Sequence, residues 1–133
     1  MNIDPYLHFD GRCEQAFNFY VKVLGGKIDS KHTFADAPPE MGSHADWKDK
    51  IMHARLVVGD QVIMGSDAPP DRYGKPAGYS ISISLKDVNE GQRIFSELSK
   101  GGQTLMPYGK TFWAKGFGMC VDQFNIPWMV NVE

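Results

Sequence analysis

A chain of 133 residues with 42% hydrophobic and 23% charged residues has the balance of one ordinary folded domain, large enough to bury a core without a disulfide or a metal as a staple. Its formal net charge of −2, with no basic cluster, argues against a nucleic-acid partner, and no apolar run approaches the roughly 18 residues of a membrane-spanning helix. The opening Met1-Asn2-Ile3-Asp4-Pro5 lacks the basic and apolar stretches of a secretory signal, and the two widely separated cysteines, Cys13 and Cys120, read as free thiols in a reducing cytoplasm.

Pro5 to Phe9 reads as a short strand broken by Gly11. Glu14 to Leu24 reads as a helix, because Ala16, Phe17, Phe19, Tyr20, Val23 and Leu24 recur at three- and four-residue spacing and share one face. Gly25-Gly26 stops it, since glycine takes the left-handed conformation past a helix end without penalty. Lys27 to Phe34 reads as a second strand. Ala35 to Lys50, with Pro38-Pro39, Gly42 and four carboxylates, reads as a long loop of the kind that often serves as a lid. Ile51 to Val58 and Gln61 to Gly65 read as a hairpin turning at Gly59-Asp60. Asp67 to Ala77, with Pro69, Pro70, Gly74 and Pro76, is a short stiff linker.

The second half repeats this order. Tyr79 to Leu85 reads as a strand. Asp87 is the candidate N-cap of the next helix, with Glu90 in capping-box position. Val88, Ile94, Phe95 and Leu98 supply its buried face, and Gly101-Gly102 ends it. Gln103 to Met106, Gly116 to Val121 and Pro127 to Val132 read as strands. Glu14 corresponds to Glu90, Phe19 to Phe95, and Gly25-Gly26 to Gly101-Gly102. The pattern predicts one α+β domain made from a duplicated βαβββ unit. Module one spans about 1–66, the linker 67–77 and module two 78–133. Each curled mixed sheet leaves a concave face uncovered, and the two faces are expected to enclose a cavity.

The residues Tyr6-Leu7-x-Phe9-x-Gly11-x-Cys13-Glu14-x-Ala16-x-x-Phe19-Tyr20, then Val23-Leu24-Gly25-Gly26, His53-Ala54-x-Leu56 and Met64-x-Ser66-Asp67, carry a family likeness. So do Thr111-Phe112-Trp113-Ala114, Phe117-Gly118, Asp122-x-Phe124 and Ile126-Pro127-Trp128-Met129-x-Asn131. Over nearly its whole length the chain resembles the PhnB-like branch of the vicinal-oxygen-chelate superfamily. That superfamily also holds glyoxalase I, bleomycin- and fosfomycin-resistance proteins and extradiol dioxygenases. The resemblance implies the glyoxalase/bleomycin-resistance fold and a homodimer. A legacy label ties the branch to a demethylubiquinone methyltransferase, but no glycine-rich strand-to-helix turn of the kind that usually binds S-adenosylmethionine occurs here.

The resemblance also implies a divalent metal held by four ligands from the first and last strands of each module. Carried onto this chain, those positions fall near Pro5, at Met64, near Ser80 and at Met129, none a good ligand for a hard or borderline ion. No metal or other cofactor is therefore expected. His8, His32, His44 and His53 lack tight ligand spacing, with His44 and Asp46 in the lid.

Strand alternation suggests the pocket instead. Val57 pairs with Val62, Arg55 with Met64 and His53 with Ser66, on the face that lines the cavity. His53 is the candidate acid or base, because imidazole ordinarily changes charge near neutral pH. Arg55 is a candidate anion clamp, unless it is paired with a carboxylate such as Asp67. Ser80 and Ser82 offer small polar walls, with Met129 beside them and Trp113 at the rim, while Trp128 alternates toward the helix. Two functions remain open. One is a metal-independent protein binding a small organic molecule. The alternative is a glyoxalase-like lyase or isomerase using a relocated divalent metal or His53.

Overall fold

The alternating segment Tyr6-Leu7-His8-Phe9 forms strand β1 (Tyr6–Phe9), burying Leu7 and Phe9 and exposing the other two. The structure, a computed structural model, describes residues 1–38 and 47–133. Helix α1 (Cys13–Leu24) buries Cys13, Ala16, Phe17, Tyr20 and Val23, with Phe19 and Leu24 half-buried at the stripe's edge. It stops at Gly25, whose φ of 74° lies in the left-handed region and whose N–H donates to the Val21 carbonyl. Strand β2 (Lys27–Thr33) follows, then a 3-10 turn over Phe34–Asp36, β3 (Ile51–Val58) and β4 (Gln61–Asp67). The sheet order is β1-β4-β3-β2, with β1 parallel to β4 and the other pairs antiparallel.

The second half builds the same object. Strand β5 (Ile81–Leu85) is followed by α2 (Val88–Ser99), β6 (Gln103–Gly109), β7 (Gly116–Val121) and β8 (Pro127–Val132), in the order β5-β8-β7-β6. Asp87 caps α2 by accepting from the Glu90 N–H at 3.0 Å. The chain divides into two compact units, Met1–Gly74 and Lys75–Glu133, each a four-stranded mixed sheet with one helix packed on it.

Several limits differ from the sequence-based expectation. Strand β4 continues through Ser66 and Asp67, and β6 continues through Pro107 to Gly109. Proline is tolerated there because β6 is an edge strand. Strand β5 begins at Ile81, leaving Tyr79 and Ser80 outside it. Val88 is 38% exposed rather than buried, because it is the first residue of α2 and precedes the packed stripe. Residues 39–46, including His44 and Asp46 of the expected lid, lie outside the described residues. Among the described residues no helix is long and apolar enough to cross a membrane.

Each sheet has one face under its helix and one open face. A Cβ added to Gly65 would meet the Phe17 ring of α1 at 3.0 Å, so Gly65 faces the helix and its neighbours Met64 and Ser66 face away. In the second sheet a Cβ on Gly118 would meet Phe95 of α2 at 2.7 Å, and Phe117 and Met119 therefore face away.

Each unit is anchored by one buried carboxylate. Asp67 accepts from the backbone N–H groups of Cys13 and Ile51, both at 2.9 Å, tying the start of α1 and the start of β3 to the end of β4. Asp122 accepts from Phe124 N–H at 2.8 Å, Ile126 N–H at 3.0 Å and the Trp128 indole N–H at 2.8 Å, fixing the turn between β7 and β8. Trp128, expected on the helix side, is 1% exposed.

Candidate functional site

The open face of the first sheet is built by register. Tyr6 on β1 lies beside Met64 on β4, Met64 lies opposite Arg55 on β3, and Arg55 lies opposite Ser30 on β2. The next row places His8 beside Ser66 and His53 opposite His32. The β3–β4 register, carried one residue further, sets His53 opposite Ser66. The pairings Val57 with Val62 and Arg55 with Met64 are those the hairpin turn predicts.

Strand β2 slips register between Ile28 and Ser30, so Asp29 is an extra residue against Arg55. The bulge turns the Asp29 carboxylate onto the Arg55 guanidinium, and the two form an ion pair. The partner of Arg55 is thus Asp29. Asp67 is occupied by backbone N–H groups on the buried side.

Tyr6 Oη lies 3.1 Å from His53 Nδ1, and the two rings stack at a centroid distance of 5.7 Å. His8 also packs against Tyr6, with ring centroids 5.3 Å apart and the planes tilted by 43°. The face therefore holds a stacked aromatic group with a polar edge, and a thioether and a balanced ion pair in the next row. Tyr6, His8 and Asp29 were not among the predicted site residues. Alternation against Leu7 and Phe9 was signal enough for Tyr6 and His8, whereas nothing in the sequence marks the bulge at Asp29.

In the second unit Ser82 lies beside Met129, and Met129 lies opposite Met119. Ser82 is exposed, and Ser80 is half-buried just before the strand. Trp113 is 51% exposed and packs edge-on to Phe117 at 5.2 Å.

At the positions where the resemblance would place metal ligands, the side chains are not those of a hard divalent-ion site. Pro5 offers only its carbonyl, which already accepts from Met64 N–H at 3.1 Å. Met64 and Met129 supply thioethers, which suit soft ions. Among the described residues, no three His, Cys, Asp or Glu side chains stand together as a metal-binding group.

Nucleophilic cysteine chemistry is also disfavoured. Burial pushes the Cys13 thiol up, and the nearby Asp67 and Glu14 carboxylates push it further. Cys120 is pushed up to about 12 by burial and by Asp122. Both remain protonated near neutral pH and are poor nucleophiles. Burial likewise raises the Asp67 carboxyl above its ordinary value, against the opposing pull of the Ile51, Cys13 and Gly11 N–H groups.

The duplicated unit and its open faces define the class: this is the glyoxalase/bleomycin-resistance fold. It is shared with FosX, a fosfomycin-resistance protein of Listeria monocytogenes, at a TM-score of 0.65 and 7% identity, covering 100% of this chain and 91% of that one. Residues 1–131 match the family described as 3-demethylubiquinone-9 3-methyltransferase, and the chain belongs to that family. Protein YjdN of Escherichia coli K12 is 34% identical over 140 residues, spanning 99% of this chain and 95% of its own. The crystal structure of PA1353 from Pseudomonas aeruginosa superposes with a TM-score of 0.91 at 47% identity, covering 100% of this chain and 98% of that one. A Bacillus cereus PhnB protein, described as a putative 3-demethylubiquinone-9 3-methyltransferase, gives 0.84 at 24% identity, with 100% of both chains covered.

Proposed function

We propose that this protein binds a small organic molecule carrying an accepting oxygen on the open face of its first sheet, without the superfamily's usual divalent metal. The observation that carries this reading is the Tyr6–His53 hydrogen bond. A phenol O–H is a better donor than a neutral imidazole N–H, and an imidazole nitrogen is a better acceptor than a phenol oxygen. Tyr6 therefore donates to Nδ1, and the ring proton sits on Nε2. His53 then offers a ligand an N–H donor and not a basic nitrogen. The rings of Tyr6 and His8 and the Met64 thioether supply a flat, polarisable floor. Asp29 balances the charge of Arg55, which favours a neutral or singly charged ligand over a phosphonate dianion. In the second unit, taken by itself, Ser80, Ser82, Trp113 and Met129 are proposed ligand contacts.

The methyl transfer named in the family description is not part of this reading. The strand-to-helix turns, Asp10-Gly11-Arg12 and Lys86-Asp87, are not glycine-rich loops. The reading includes a homodimer of about twice the 14.9 kDa chain mass in a reducing cytoplasm, for which the two free buried thiols are support.

The test is a thermal-shift screen with small carbonyl, carboxylate and phosphonate compounds, followed by metal analysis after loading with Ni²⁺, Zn²⁺ or Mn²⁺. The expected result is ligands that raise the melting temperature of the wild type but not of His53→Ala, with metal well below one ion per chain. Stoichiometric divalent metal overturns the reading in favour of a lyase or isomerase.

A further inference from the structure

The open face of the second sheet carries a row of sulfur atoms of which the ligand reading uses only Met129. Met129 on β8 is in register with Met119 on β7, and Met119 is in register with Met106 on β6. Side chains directly opposite on neighbouring strands have Cβ atoms about 5 Å apart. Strand β6 slips register on both sides of Met106. The slips hold Met106 against Met119, while Tyr108 turns to the helix side and donates its hydroxyl to the Val88 carbonyl at 2.8 Å. Met106 is 41% exposed and the other two methionines are half-buried, so the row is within reach of solvent.

A methionine side chain has three rotatable bonds and a soft, polarisable sulfur. The outer two can lean toward the central one until all three sulfurs face a common point. Thioethers discriminate against hard divalent ions and prefer Cu(I) and its analogue Ag(I). They also carry no proton to displace. Apolar packing alone does not call for methionine at three aligned, solvent-reachable positions, where leucine fits as well and resists oxidation.

We propose that Met106, Met119 and Met129 form a soft-metal site in which three thioethers share one monovalent ion, Cu(I) or Ag(I). Each sulfur donates a lone pair, no electron changes hands and no proton is released. The site lies within the second unit and does not depend on His53; it shares only Met129 with the proposed ligand contacts.

The test is titration of the whole chain with Ag(I), a redox-inert probe, at about pH 5, where protons compete with the metal for imidazole ligands, while the two thiols, Cys13 and Cys120, are buried. The expected result is one tightly bound ion per chain, with NMR shifts confined to the methyl groups of Met106, Met119 and Met129 among the seven methionines. Met119→Leu is expected to weaken binding by about ten-fold or more. The triple change to leucine should abolish it with little change in melting temperature, since the swap conserves volume. Absence of binding at this pH, binding that survives the triple change, or shifts at other methionines overturns the proposal. The methyl spectra of the wild type decide the matter even where a variant fails to fold.

Discussion

The two units share strand order, helix placement and even a bulge, yet their open faces have different chemistry. Strand β2 is bulged at Asp29 against Arg55, and β6 is bulged at Leu105 against Met119, 76 positions further along. In the first unit the bulge delivers a carboxylate to a guanidinium. In the second it keeps Met106 against another methionine. The row Tyr6, Met64, Arg55, Ser30 is thus the counterpart of Ser82, Met129, Met119, Met106. Duplication kept the residues that turn the chain and pack the helix, while the outward residues diverged, because an outward side chain can change without disturbing the core beneath it.

The strongest way to break this equivalence is at the glycines after each helix. A methyl group on Gly26 would overlap the Val57 carbonyl oxygen, and one on Gly102 would overlap the Val121 carbonyl oxygen. In both cases the obstacle is backbone in a central strand, which cannot rotate away. Gly26→Ala and Gly102→Ala are each expected to cost about 3 kcal/mol or more in urea unfolding. If one is tolerated and the other is not, the two units do not have the same construction.

The buried carboxylates sharpen the comparison at a smaller scale. Asp122→Asn would turn an amide N–H₂ toward either the Trp128 indole N–H or the two turn N–H groups, costing about 2–3 kcal/mol. Asp67→Asn meets the same conflict with the N–H groups of Cys13 and Ile51, at about 2 kcal/mol. Its cost should also depend on pH. The folded-state pKa of Asp67 is raised above the ordinary 3.8. Its contribution to stability is therefore fully present below that value and is lost as pH rises through the raised one. The penalty of Asp67→Asn, followed by chemical denaturation across this window, should be largest at the acid end and shrink toward neutrality. A penalty that grows with pH would mean that the N–H groups outweigh burial.

These residues also show what the sequence makes legible. The Gly59-Asp60 turn sets the pairs Val57 with Val62 and Arg55 with Met64, because turn chemistry and alternation are local. Strands β3, β7 and β8 have the predicted limits for the same reason. Asp67 read as the first residue of a stiff linker and a possible partner of Arg55, because its actual partners, Cys13 and Ile51, are 54 and 16 residues away. The Asp29 bulge is a property of two paired strands and is not visible in either one alone. Tyr6 and His53 are 47 residues apart, and their contact depends on β1 joining the sheet beside β4.

The smallest expected effect on stability falls on that contact, and it carries the most about function. Tyr6 is 39% exposed, so Tyr6→Phe removes one hydrogen bond at a solvated edge and should cost about 0.5 kcal/mol. Nitrogen-15 spectra of the wild type should show His53 Nδ1 unprotonated and hydrogen-bonded, with the proton on Nε2, and Tyr6→Phe should erase the signature at Nδ1. Ligands found by thermal shift should bind the variant more weakly, since the ring loses the partner that aims its N–H. A wild-type proton on Nδ1 would reverse the argument. Tyr6 would then be the acceptor, Nε2 would carry an open lone pair, and the face would be arranged to take a proton from a substrate and not to hold its oxygen.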